Sequence, residues 1–197
     1  MINKIKYFKD KPVLADILDL LLLCIVTIII GKIFTSYFML PGHVPTSSME
    51  GTISAGDRML TNRTSYWKSS PQRGDIVVFY YPDAKMQSPP EEVHYVKRII
   101  GLPGETVTIQ DGAVYINGVK LDEPYIHMST KVGESYVVPE GHYFMLGDNR
   151  NNSADSRAWE HKFVPEADIL GKVFFKYSLL IDNIHARAVY SYNDYNI

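Results

Sequence analysis

Thr106-Val107-Thr108-Ile109-Gln110-Asp111-Gly112-Ala113-Val114-Tyr115-Ile116-Asn117-Gly118-Val119-Lys120-Leu121 decides the fold class. Asp111-Gly112 and Asn117-Gly118 are dipeptides that tolerate the positive φ of two-residue hairpin turns. β-Branched and aromatic residues fill the runs between them, which predicts a small β meander within a region near 105–140. Working outward, strand-like runs recur at 75–81, 93–100, 143–146 and 172–177. Beyond one apolar segment near the N-terminus, no long stretch carries helical periodicity. Only Pro165-Glu166-Ala167-Asp168 suggests a short helical turn, with Pro at a first helical position. Ser88-Pro89-Pro90 reads as a loop. The expected architecture is mainly β: an N-terminal transmembrane helix, then an antiparallel, partly closed β domain.

The chain has 197 residues, 46% of them hydrophobic, enough for one anchor and one soluble core. A formal net charge of −2, without a long Lys/Arg run or an aromatic-basic stripe, offers no surface to a nucleic acid. Cys24 is the single cysteine, which excludes an intramolecular disulfide and a cysteine-based zinc cluster. Leu21-Leu22-Leu23 before it lack the small residue that lipidation needs, so Cys24 is expected to be a plain apolar residue facing lipid. The histidines at 43, 94, 127, 142, 161 and 185 form no helical zinc motif, and no Gly-rich phosphate loop occurs, so no metal and no cofactor are expected.

Residues 20–31 are apolar apart from Thr27, and after Lys32 the run resumes from Ile33 to Leu40. At ~1.5 Å per residue this crosses ~30 Å of hydrocarbon. Lys32 lies near the outer end, where its stem can carry the ammonium to the headgroups. Lys4, Lys6, Lys9 and Lys11 precede the run, whereas no Lys or Arg occurs from Ile33 to Asp57. That bias places the N-terminus in the cytoplasm. No small-x-small cleavage site follows closely, so the segment is expected to be retained. The expected organisation is a cytoplasmic segment at 1–16, an anchor at 17–40, an extracytoplasmic catalytic β domain at 41–181 and a C-terminal tail at 182–197. The membrane is plasma membrane, crossed once.

Val44-Pro45-Thr46-Ser47-Ser48-Met49 follows the anchor, and Lys97 lies 49 residues beyond Ser48. A serine hydroxyl is a weak nucleophile until a base takes its proton, and a neutral lysine can be that base. The obstacle is the ordinary Lys pKa of ~10.4, which burial must lower. In a strand, Lys97 shares a face with Tyr95 and Ile99, apolar-bodied neighbours, while Arg98 points the other way. His94 sits at an odd offset from Lys97 and is expected on the opposite face, as a surface or satisfied histidine.

Together with Tyr95-Val96-Lys97-Arg98 and Gly147-Asp148-Asn149-Arg150-Asn151-Asn152-Ser153-Ala154-Asp155-Ser156-Arg157, this stretch resembles type I signal peptidases. These are membrane-bound serine proteases of a signal peptidase/LexA-like β fold that remove signal peptides from exported preproteins. The single anchor and the short stretch between boxes resemble Gram-positive members. The resemblance implies Ser48 as nucleophile, Lys97 as base, and Thr46 with the Ser48 N–H as the oxyanion hole. It further implies that Ser153 orients the lysine amine, and that Asp148, Asp155 and Arg157 hold the catalytic segments, with Arg98 the partner of Asp148. Arg73-Gly74-Asp75-Ile76-Val77-Val78-Phe79 resembles another family box, expected to be a core strand. Thr46, Gly51 and Asn151 depart from the usual residues.

Ser48 lies eight residues beyond Leu40, within roughly 28 Å of the membrane even if the link is fully extended. The implied substrate, a signal peptide still held by the bilayer, would bind as an added strand, with pockets selecting small residues at −1 and −3. Val44, Pro45, Met49, Ile53, Tyr95 and Val96 are the candidate pocket walls. Proximity to the secretion translocon is expected. Two other readings remain: a membrane-tethered, non-catalytic β domain assisting surface-protein assembly, and a self-cleaving Ser-Lys protease.

Overall fold

The computed structural model describes residues 12–87, 89–124, 126, 133–180 and 183–188. The lysines before the apolar run, Ser88, His127 and most of the tail lie outside them, and so does the side chain of His185. Two compact units divide the chain, residues 1–39 and 40–197.

The first is a helix, α1 (Pro12–Phe38). It begins eight residues before Leu20, and it stops before Met39 and Leu40, which enter a strand. Leu20 to Leu23 are all 52–62% exposed, and apolar residues surround the axis. A helix hydrophobic all round is suited to lipid rather than to one packed face. Thr27 and Thr35 return their hydroxyls to the carbonyls of Leu23 and Gly31 at 2.8 and 3.0 Å, so neither presents an unpaired donor to an apolar solvent.

The second unit holds two antiparallel sheets. Its elements in chain order are β1 (Met39–His43), β2 (Arg58–Asn62), β3 (Ile76–Tyr80), α2 (Pro82–Met86), β4 (His94–Gly101), β5 (Thr106–Gln110), β6 (Ala113–Ile116), β7 (Val119–Lys120), β8 (Glu134–Val137), β9 (His142–Leu146), β10 (Phe163–Pro165), a 3₁₀ turn (Glu166–Asp168), β11 (Ile169–Leu180) and β12 (Asn183–Ala188). The larger sheet runs β1-β2-β11-β3-β4-β9-β10, with β12 also on β11. Among the described residues its end strands, β1 and β10, do not pair with each other, so the sheet does not close fully. The mainly β class read from the sequence is what forms.

The smaller sheet, β7-β6-β5-β8, contains the expected meander. Asp111 and Gly112 have φ of 49° and 75°, and Asn117 and Gly118 have 51° and 82°, the left-handed pairs that a primed hairpin turn demands. Val107, Ile109, Val114 and Ile116 point to one face and pack with Ile100, Phe144 and Leu146 of the larger sheet. This packing joins the two sheets.

The run at 75–81 becomes β3, whose partners β4 and β11 lie on either side, and Ile76 to Phe79 are buried on both faces. β1, β2, β8, β10, β12 and α2 were not expected. β2 alternates exposed and buried residues over only five positions, and β10 has three residues ending in a proline that an edge strand tolerates.

Candidate active site

β1 leaves the sheet at His43, and the chain then makes a turn with Ile53 N–H donating to Met49 O at 2.8 Å. Ser48 opens that turn. Gly51 within it has φ 99°, a left-handed conformation closed to the proline usual at this place. The turn's backbone therefore differs from what the common Pro-Thr-Leu continuation would give.

β4 brings Lys97 to the turn. Its Nζ lies 2.7 Å from Ser48 Oγ and 3.0 Å from Val96 O, with Ser48 6% and Lys97 4% exposed. The Tyr95 ring, on the same face of β4, has its centroid 5.3 Å from Nζ. Tyr95 in turn stacks on Tyr81 at 4.4 Å, which fixes its plane. Burial pulls the Lys97 ammonium down to about 8, and the attraction of Asp155 and then Asp148 opposes that fall without cancelling it. A lysine so placed is neutral in a useful fraction near physiological pH, and a neutral amine accepts a hydroxyl proton.

Thr46 Oγ1 is 3.3 Å from Ser48 Oγ. Among the described residues the Ser48 N–H donates to nothing, so one backbone donor is uncommitted beside the hydroxyl.

Arg98 points away from Lys97 and grips Asp148 with two bonds, Nε to Oδ1 at 2.8 Å and Nη2 to Oδ2 at 2.6 Å. Both side chains are buried, 1% and 0% exposed. Thr52, four residues after Ser48, donates to the same Asp148 carboxylate at 2.6 Å, and Arg98 also donates to Gly74 O at 2.8 Å. The 73–79 box thus supplies a carbonyl to the support as well as a core strand. Asp155 pairs with Arg157 at 2.7 Å and accepts the Gly147 N–H at 3.1 Å. Arg157 also donates to Arg150 O at 2.8 Å.

The expected bond from Ser153 to the lysine amine is not made. Ser153 Oγ is buried without a hydrogen-bond partner. It lies against Gly147, where a Cβ would come 2.2 Å from Ser153 Oγ and 2.4 Å from Ser48 O, so only glycine permits the approach of these two loops. Lys97 spends its donors on Ser48 Oγ and Val96 O instead.

A cleft of about 480 Å³ opens beside Ser48. Val44, Pro45, Tyr95 and Val96 line it as expected from the sequence. Met49 and Ile53 do not. Both are 0% exposed and sit in the core with Val78 and Val173, because the turn after Ser48 aims residues four apart inward together. Their places in the wall are taken by Leu40, Gly42, Met59 and Val78. His94 also lines the cleft, its ring 5.1 Å from Tyr80, even though it faces away from Lys97.

Two asparagines were missed by sequence reasoning. Asn149 N–H donates to Ser48 O at 3.1 Å and its Nδ2 to Ser47 O at 3.0 Å, while Asn152 Nδ2 donates to Ser47 Oγ at 2.9 Å. A segment outside regular structure must find partners for its backbone groups, and that requirement was the available signal.

A buried lysine amine set against a serine hydroxyl beside an open cleft is an arrangement suited to hydrolysis by a serine nucleophile. The family described as "Signal peptidase, peptidase S26" matches residues 17–178. A probable signal peptidase I-2 of Synechocystis sp. is 42% identical over 154 residues, covering 75% of this chain and 69% of its own. Signal peptidase IB of Staphylococcus aureus is 31% identical over 186 residues, covering 85% and 90%. A crystal structure of a signal peptidase I from Enterococcus faecalis is 38% identical, covers 53% of this chain and 97% of its own, and superposes with a TM-score of 0.42. The chain therefore belongs to the signal peptidase family, peptidase S26. It is a peptidase of signal peptides, and α1 is long and apolar enough to anchor it in a membrane.

Proposed function

We propose that the chain cleaves signal peptides from exported preproteins with Ser48 as nucleophile and Lys97 as general base. The observation that carries this is the 2.7 Å contact between Lys97 Nζ and Ser48 Oγ in a buried setting. Neutral Lys97 takes the Ser48 proton as Oγ attacks the scissile carbonyl. The negative charge that develops on the carbonyl oxygen is held by the Ser48 N–H and by Thr46 Oγ1–H. The resulting ammonium protonates the leaving amine, the new N-terminus of the mature protein, and leaves the signal peptide as an ester on Ser48. Water attacks that ester with Lys97 again accepting a proton, which returns Ser48 to its starting state. Arg98, Asp148, Asp155 and Arg157 act by holding β4, the Ser48 turn and the 147–157 loop in register.

The substrate adds as a strand along the cleft walls Val44, Pro45, Tyr95 and Val96, and small side chains fit at −1 and −3. Purified chain in detergent should cut a preprotein after Ala-x-Ala, and a leucine at −3 should lower kcat/KM by about tenfold or more, since a misfit side chain is worth on the order of 1–3 kcal/mol. Equal cleavage of both substrates would remove the small-residue rule.

The segment before α1 lies in the cytoplasm, α1 crosses the plasma membrane, and the β domain that starts at β1 and includes β12 works outside, near the translocon that delivers the substrate. The four early lysines support this orientation. Protease added to intact spheroplasts should digest the β domain and spare a tag placed before Lys4. The reverse pattern would overturn the orientation.

A further inference from the structure

The Ser47 carbonyl and the Ser48 N–H belong to one peptide unit. Such a unit is planar, and in the trans form its C=O and N–H point in opposite directions. Whatever fixes the direction of the Ser47 carbonyl therefore fixes the direction of the Ser48 N–H. The segment from Val44 to Ser48 lies outside any strand or helix, and its own turn gives the Ser47 carbonyl one bond, from the Glu50 N–H at 3.0 Å. Asn149 adds the second and long-range bond from 102 positions away, with Nδ2 donating to Ser47 O at 3.0 Å, so that two donors set the plane of the peptide. The Asn149 backbone N–H holds the next carbonyl, Ser48 O, at 3.1 Å. On its far side the peptide presents an N–H that, among the described residues, donates to nothing.

We infer that Asn149 is a positioning residue for the oxyanion site, its side-chain amide completing, with the Glu50 N–H, the pair of donors on the Ser47 carbonyl that aims the Ser48 N–H of the same peptide at the substrate oxygen. The inference rests on the reading of Ser48 as nucleophile. A donor on the carbonyl also polarises the peptide, which makes its N–H the stronger donor. Asn152 differs in kind: it holds only Ser47 Oγ, a side-chain atom, and leaves the peptide plane free to turn.

Asn149→Leu isolates the effect. Leucine keeps the branching at Cγ and deletes the donor. The other terminal atom, Oδ1, is buried without a partner, so its removal takes away an unsatisfied acceptor and no bond. The backbone bond to Ser48 O survives the substitution.

The test is steady-state cleavage of an Ala-x-Ala preprotein by full-length wild type, Asn149→Leu, Asn152→Ala and Ser48→Ala in detergent. It is accompanied by thermal melting and by the affinity for a peptide aldehyde that adds to the serine as a tetrahedral adduct. Removing an oxyanion donor outright costs about 10²–10³ in kcat, so misaiming one should cost about tenfold or more. Asn149→Leu is expected to lose that factor in kcat with KM and melting temperature close to wild type, and to lose aldehyde affinity in parallel. Asn152→Ala should lose less. Wild-type kcat in Asn149→Leu, or a fall in kcat matched by a fall in melting temperature with aldehyde affinity intact, would overturn the inference and leave the nucleophile assignment standing. Residual cleavage by Ser48→Ala would overturn the nucleophile assignment, and the inference with it.

Discussion

Lys97→Met should abolish preprotein cleavage and raise the thermal stability of the protein at pH 7. Activity is lost because methionine cannot accept the Ser48 proton, and Lys97→Arg should be equally inactive, since a guanidinium stays protonated at working pH. The gain in stability follows from the pKa. In the unfolded chain the lysine titrates near its ordinary 10.5, and in the folded chain near 8. Below pH 8 the folded protein must hold a buried ammonium, which opposes folding by about 3 kcal/mol at ~1.36 kcal/mol per pH unit. Between 8 and 10.5 the unfolded chain binds the extra proton, so wild-type stability rises with pH, and above 10.5 the penalty is gone. The advantage of Lys97→Met is therefore largest at and below neutral pH and shrinks toward pH 10. Melting curves at pH 7 and pH 10 check it. A methionine variant less stable than wild type at both would mean that the lysine is part of the scaffold and not a strained functional group.

The second large effect concerns Arg98 and Asp148. Both are buried, and they share two hydrogen bonds. Asp148→Asn keeps the shape and leaves a buried guanidinium without its carboxylate counter-charge, a loss of about 3–5 kcal/mol. That is a large part of the ~5–15 kcal/mol that holds a domain together, and it should lower the melting temperature by on the order of 10 °C. Activity should fall as well, because Thr52, in the turn that carries Ser48, also bonds this carboxylate. The double variant Arg98→Met/Asp148→Leu removes both charges and should recover much of the stability without the activity. If Asp148→Asn melted like wild type, the pair would not be the brace between β4 and the 147–157 loop.

How far the sequence disclosed this arrangement differs from element to element. Asp111-Gly112 and Asn117-Gly118 announced their hairpins because the positive φ they adopt is a local property of the dipeptide. β2 and β10 were hidden because strands of five and three residues carry little pattern, and their pairing with β11 and β9 is decided by distant residues. Ser48 and Lys97 were legible through the boxes they stand in, and alternation along β4 correctly put Tyr95 beside the amine and Arg98 behind it. Alternation had nothing to say about the turn after Ser48. Met49 and Ile53 were assigned to the cleft, whereas their four-residue spacing in that turn sends both into the core. The Ser153 contact and the two asparagines depend on how closely two loops approach over Gly147, which no local pattern encodes.

The central claim is that a neutral lysine takes the serine proton, and the pH dependence of kcat/KM for preprotein cleavage by the wild-type protein tests it most directly. With Lys97 titrating at about 8, the rate constant should climb about tenfold per pH unit below that value and level off above it. A profile flat from pH 6 to pH 9, or one that falls through pH 8, would contradict the account.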